Sequence, residues 1–303
     1  MVYNVGKIKK EGINMYFAII FVVCIVVLSV IVSIFLDLYI NKKFKSLRLL
    51  YKFEDPRNIS IQKDIVYKKY GSKELLMDVY SPAPINPDYK SPVIILLHGE
   101  GIEKLLKDIK NWSFYTSYGR LAASKGYTAV TFHRGRTNLN FKNSDVANDI
   151  QDAVTFIRNN SDRFNIDINR ICIWSFSLGG LYLSHFMREK PTYIRCLISY
   201  YGLLDIKFKT KKLNKENGKY QPERYLPEDP ADFPPLLIVK AEKDKIKGVN
   251  ESQENFMKVA NERNIPFEVI KHKTGGHTFD GLDDNEETTE VIEKTWSFIR
   301  KNI

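Results

Sequence analysis

Cysteine is scarce in this chain. Cys24 stands inside a long apolar run, and Cys172 and Cys196 stand in short ones, among 303 residues. Such thiols make no disulfide framework, and no Cys/His cluster has the spacing of a zinc site. Neither a metal nor an organic cofactor is expected. Internal repeats and low-complexity tracts are also absent, so nothing indicates a repeat architecture. Positive charge is in excess, with a net +10. The lysines are scattered, however, and no zinc-finger spacing or RNP-like aromatic signature accompanies them. Solubility accounts for the excess, and a nucleic-acid partner is not expected.

What is present begins with one long hydrophobic stretch. "YFAIIFVVCIVVLSVIVSIFL", Tyr16–Leu36, contains no charge, proline or glycine. At a rise of about 1.5 Å per residue it reaches about 30 Å, the thickness of a bilayer core. A cleaved signal peptide would have a shorter apolar region and a small-residue cleavage site, whereas "DLYINKKFK" follows here. The expectation is an uncleaved, single-pass transmembrane anchor over 16–36, placing the protein at a membrane. Residues 1–15 form its flank and 37–60 a basic linker. Lys7, Lys9 and Lys10 are nearly balanced by Lys42, Lys43, Lys45 and Arg48 across the span, so no orientation follows.

The remainder, 44% hydrophobic overall, is long enough for one domain of about 250 residues. "IVYKKYGSKELLMDVYSPAP" reads as two strands around Gly71-Ser72, an antiparallel hairpin. Short apolar runs follow at 93–97, 128–132, 171–174, 196–200, 236–240 and 267–270. Helical periods lie between them, over 146–157 with Ser144 as N-cap, then 178–189, 254–262 and 286–300. Strands alternating with helices predict an α/β fold, a mostly parallel sheet with helices on both faces. Residues 206–230 fit neither period and read as an insertion. Its lysines, Lys207, Lys209, Lys211, Lys212, Lys215 and Lys219, with Phe208, Leu213 and Tyr220 between them, suggest either a solvated loop or a lid resting on an anionic membrane.

"ICIWSFSLGG" breaks a strand into serines and glycines where a helix begins. Ligands of parallel sheets bind at such strand ends. A sharp strand-to-helix turn that presents a nucleophile needs small residues two positions to either side. Ser177 meets that condition with Ser175 and Gly179, whereas Ser175 as nucleophile would have Ile173 as a neighbour. A serine needs a base, itself oriented by an acid. Asp244, beyond the run ending at Lys240, is the candidate acid, with Glu242 and Asp205 as alternatives. His277, in "GGHTFD", is the candidate base, with His272 as the alternative. The oxyanion donors would be the N–H of Leu178 and those of a glycine-bearing loop, Glu100 and Gly101 in "HGEG".

These stretches together resemble the α/β-hydrolase superfamily, in its esterase/lipase group near small carboxylesterases and dienelactone-hydrolase-like enzymes. "LLMDVYSP", "HGEG", "DIQDAVTFIRNNSDRFNIDINRICIWSFSLGG", "AEKD" and "GGHTF" carry the resemblance over roughly 61–303. Ser175 replaces the family's first elbow glycine, and Glu100 replaces the middle glycine of its His-Gly-Gly-Gly loop. The resemblance implies an α/β-hydrolase fold and a serine hydrolase acting on small-molecule esters through an acyl-enzyme. Ser177, Asp244 and His277 would be its catalytic residues. A peptidase or amidase on the same fold, and a non-catalytic binding module, are the alternatives.

Overall fold

The hairpin read from the sequence forms one end of the sheet. Strand β1 (Ile59–Tyr70) turns at Gly71, whose φ of +56° suits a residue without a side chain, into β2 (Lys73–Pro82). The computed structural model describes residues 28–29, 32–33, 46–54, 58–84, 88–99, 108–134, 146–207 and 217–303. After the hairpin come β3 (Ser91–Leu97), α1 (Ser113–Ser124), β4 (Thr128–Phe132) and α2 (Val146–Asn159). Then follow β5 (Ile166–Phe176), α3 (Leu183–Glu189), β6 (Ile194–Tyr200) and β7 (Leu236–Ala241). The chain closes with α4 (Val249–Glu262), β8 (Glu268–His272) and α5 (Glu286–Asn302).

Among the described residues eight strands lie in the order β1-β2-β4-β3-β5-β6-β7-β8. Only β1–β2 and β2–β4 pair antiparallel; from β4 to β8 every pairing is parallel. Successive side chains of a strand point to opposite faces, and here both faces are covered. Val93, Ile95 and Leu97 join a core with Val154 of α2, Phe186 of α3 and Phe256 of α4. Ile94 and Leu96 join a second core with Tyr118 of α1 and Trp296 of α5. That two-sided burial is why these strands read as unbroken apolar runs.

Among the described residues no helix is long and apolar enough to cross a membrane. The expected span 16–36 lies outside them, apart from Leu28, Ser29, Val32 and Ser33, which are helical and exposed. The compact unit begins at Leu47, so part of the stretch expected to be linker belongs to the domain. Leu49 is buried, and Leu47, Tyr51 and Phe53 pack on the α1/α5 core. The Leu50 N–H donates to the Asp280 carbonyl at 2.8 Å, and the Tyr51 hydroxyl donates to Glu293. An apolar residue at every second position makes this strap, and the surrounding basic residues disguise it.

The insertion is tied down at its root. Gln221 accepts from the Ile206 N–H at 2.9 Å and donates to Asp205 at 2.9 Å, and Asp205 also accepts from the Lys207 N–H at 2.7 Å. Residues 208–216, which hold most of the expected lysine lid, lie outside the described residues.

Candidate active site

Ser177 follows the last residue of β5 and has φ of +53°. A left-handed conformation is costly for a residue with a Cβ and persists only where surroundings impose it. The chain reverses there into a 3-10 turn, Ser177–Tyr182, which runs into α3. The reversal brings the next turn against β3. A Cβ on Gly179 would stand 2.7 Å from the Leu97 carbonyl oxygen and 2.9 Å from that of His98. Glycine is therefore obligatory. On the other side Ser175 is fully buried, and its hydroxyl donates to the Ile198 carbonyl of β6 at 2.8 Å. The serine is small enough for the position and finds an acceptor for its one polar group.

His277 and Asp244 arrive from the far strands. Asp244 sits in the loop after β7, with the Ile246 N–H donating to Oδ1 at 2.8 Å. Its Oδ2 lies 2.6 Å from His277 Nδ1, and His277 Nε2 lies 2.9 Å from Ser177 Oγ. The Asp244 side chain is completely buried and the His277 side chain 17% exposed, so the imidazole remains reachable from solvent. The network assigns the tautomer: Nδ1–H donates to Asp244, leaving Nε2 to accept the serine proton. The structure thus brings together the serine, acid and histidine expected from the sequence.

The alternative residues have other partners. His272 is buried beneath the histidine loop, where Nδ1 accepts from the Gly275 N–H at 2.7 Å and Nε2 donates to Thr288 Oγ1 at 2.9 Å. Burial holds its basicity below the ordinary histidine range. Glu242 faces Lys240 and Lys271, each at 3.5 Å. Asp205 anchors the insertion.

Of the expected oxyanion donors, Leu178 lies next to Ser177 at the start of the helical turn. Glu100 and Gly101 lie outside the described residues. The structure singles out their neighbour instead. A Cβ on Gly99 would stand 2.9 Å from Ser177 Cβ and 3.1 Å from the Phe176 carbonyl oxygen. The backbone around it is clamped. Arg134 donates to the carbonyls of His98 and Gly99 at 3.1 and 3.2 Å, and His98 Nδ1 donates to the Gly99 carbonyl at 2.7 Å. Burial, and then the Arg134 guanidinium, hold His98 neutral, well below the ordinary histidine range. Burial also pushes the Tyr115 phenol up, opposed by a hydrogen bond with the Gly99 backbone.

Two further residues escaped the sequence reading. The Tyr201 ring packs on the His277 imidazole, with centroids 4.7 Å apart. Asp280, three residues beyond His277, is fully buried and accepts from the hydroxyls of Tyr118 and Tyr201. Each was visible only as a single residue beside a motif. Among the described residues no group of His, Cys, Asp and Glu could hold a metal ion.

The arrangement can transfer a proton from a serine hydroxyl to an imidazole held by a buried carboxylate. Comparison with known proteins agrees with the fold. Residues 77–188 match the BD-FAE family, which belongs to the α/β-hydrolase superfamily. A bifunctional acetylxylan esterase/xylanase of Neocallimastix patriciarum is 28% identical over 123 residues, 41% of this chain. The match spans only 17% of that protein's length. An esterase structure from Thermogutta terrifontis superposes with a TM-score of 0.60 at 17% identity, covering 81% of this chain and 92% of the other. The dipeptidyl peptidase 4 structure of Porphyromonas gingivalis gives 0.63 at 17% identity, covering 82% of this chain and 36% of its own. The chain has the α/β-hydrolase fold.

Proposed function

We propose that this protein is a serine hydrolase of carboxylic esters working through an acyl-enzyme. The observation that carries the reading is the chain of contacts from Ser177 Oγ to His277 at 2.9 Å and on to Asp244 at 2.6 Å. Ser177 attacks the ester carbonyl while His277 Nε2 takes its proton. His277 then returns that proton to the leaving alcohol. Water, deprotonated by the same nitrogen, releases the acid and restores the serine. Asp244 holds the imidazole in the tautomer that both halves require. The Leu178 N–H, at the start of the turn, and N–H groups of the loop after β3 hold the oxyanion, each worth about 3–4 kcal/mol in the transition state.

The ester as substrate class rests on the names of the similar proteins, the acetylxylan esterase and the Thermogutta esterase. Turnover of a chain-length series of p-nitrophenyl esters tests the reading, with p-nitroanilides as the amide counterpart. Ser177→Ala should lower ester turnover by several orders of magnitude, while Ser175→Gly stays active. Loss of turnover in Ser175→Gly with retention in Ser177→Ala would place the nucleophile elsewhere, and preference for the anilides would make the enzyme an amidase.

We further propose that Tyr16–Leu36 anchors the enzyme in a membrane. Its support is the uncharged stretch itself. Retention in the membrane pellet after alkaline carbonate extraction is the expected result.

A further inference from the structure

Three residues beyond His277, whose Nδ1 is held by Asp244, stands a second carboxylate that the proposed reaction does not use. Asp280 is completely buried. Among the described residues no lysine or arginine pairs with it; its partners are two phenols. Tyr118 of α1 donates to Oδ2 at 2.5 Å, and Tyr201 donates to Oδ1 and Oδ2 at 3.0 and 3.3 Å. A carboxylate removed from water without a cation is expensive, and an apolar side chain of similar size would serve packing better. Tyr201 is itself held against its preference. Its φ is +37°, in a region bulky residues avoid, and its N–H donates to the Val239 carbonyl at 2.8 Å. The outcome of that backbone is the placement of its ring, tilted 59° to the imidazole of His277. A costly carboxylate and a strained backbone thus converge on one imidazole.

We propose that Asp280 is a positioning residue for His277, holding the Tyr201 ring against the imidazole and placing negative charge near it when the ring takes up a proton. The proposal rests on the serine-hydrolase reading for its effect on turnover. The groups that face Asp280 are Tyr115 and Tyr118 from α1, Tyr200 and Tyr201 from the end of β6, and His277 from its own segment. Burial pushes the Asp280 carboxyl up to about 7, against the pull of the Tyr118 and Tyr201 hydroxyls and of His277. An ionised carboxylate favours the protonated form of a nearby imidazole. In the proposed turnover the imidazolium forms while the serine attacks and again while it is released. Charge near the ring therefore acts on kcat rather than on substrate binding.

The test uses the full chain as wild type, Asp280→Asn and Tyr201→Phe. Asparagine keeps the shape and an acceptor oxygen but loses the charge; phenylalanine keeps the ring but loses the hydroxyl. Two readouts are taken: kcat and KM for p-nitrophenyl acetate across pH, and the titration of the His277 ring followed by 15N NMR. In Asp280→Asn, kcat should fall about tenfold with KM little changed. The acidic limb of kcat/KM and the His277 midpoint should both move about one pH unit lower. Tyr201→Phe weakens the hold on the ionised carboxylate and should move both the same way by less. A His277 midpoint in Asp280→Asn that matches wild type overturns the proposal. Should that variant not fold, an unchanged midpoint in Tyr201→Phe overturns it instead. NMR reads the imidazole whether or not the chain hydrolyses esters. A shifted midpoint without turnover removes the esterase reading and leaves this one standing.

Discussion

At Gly99 one added methyl group would press on the proposed nucleophile. Its Cβ would lie 2.9 Å from Ser177 Cβ, a separation that neither the elbow nor the Arg134-clamped loop can relieve cheaply. Gly99→Ala should cost at least about 10²-fold in kcat/KM, the usual penalty for misplacing a reacting group by an ångström. The folded fraction, read by circular dichroism, should stay close to wild type. Asp280 gives a second expectation, this time for stability. Its native carboxyl is raised to about 7 from an ordinary 3.8, so the folded chain holds that proton more tightly than the unfolded chain. The stabilisation is complete below about pH 4 and is lost as pH rises to about 7. Asp280→Asn removes this dependence, so its Tm relative to wild type should rise between pH 5 and pH 8. Melting curves at the two pH values check it, and a constant difference would contradict the sign. Residues also mark where sequence reasoning stops. The serine-acid-histidine order typical of this fold made Ser177, Asp244 and His277 the first candidates, and the structure places them within hydrogen-bonding distance of one another. Gly99 was visible as a glycine of "HGEG", but its approach to Ser177, 78 positions away, was not, and Asp280 acts through Tyr201, 79 positions away, with no local pattern to carry it.

Elements were legible in proportion to their burial. The centres of β3 to β7 stand out because both faces are covered, so most of their residues are apolar. Their ends do not. β5 begins at Ile166, five residues before the apolar run, because the mixed stretch Ile166–Arg170 extends the strand. Helix α1 is hidden for another reason. "SFYTSYGRLAAS" is rich in Ser, Thr and Tyr, which are weak helix formers, and tertiary packing decides its state. Phe114 and Tyr118 lie in edge-on contact with Phe176 and Trp174, and so buttress the strand that leads into Ser177. Helix α5 supports the same strand from the C-terminus. Trp296 is fully buried, 5.7 Å from Trp174 and 5.6 Å from Tyr127 between ring centroids. Trp296→Ala should cost about 3–5 kcal/mol, a large part of the roughly 5–15 kcal/mol available to a domain. Urea unfolding should show that loss. Trp296 makes no ring contact with His277, so kcat per active site at low temperature should stay within a few-fold of wild type.

For the molecule as a whole, given the proposed anchor over Tyr16–Leu36, the strap from Leu47 to Phe53 would mark the line at which the folded unit is released. A protease cutting on the amino side of Leu47 leaves Leu49 buried and the Leu50–Asp280 bond made. The fragment it liberates keeps everything that steadies the histidine loop. A cut inside the strap strips those contacts from the segment that carries His277. Limited proteolysis of membranes bearing the chain should therefore release activity into the supernatant while the new amino terminus precedes Leu47, and release inactive, heat-labile protein once it lies beyond Leu50. Amino-terminal sequencing of the released fragments, set against their turnover, reads this directly. Under the proposed anchoring, one sequence would have two addresses, one at a surface and one free in solution, with the position of a single cleaved peptide bond deciding between them.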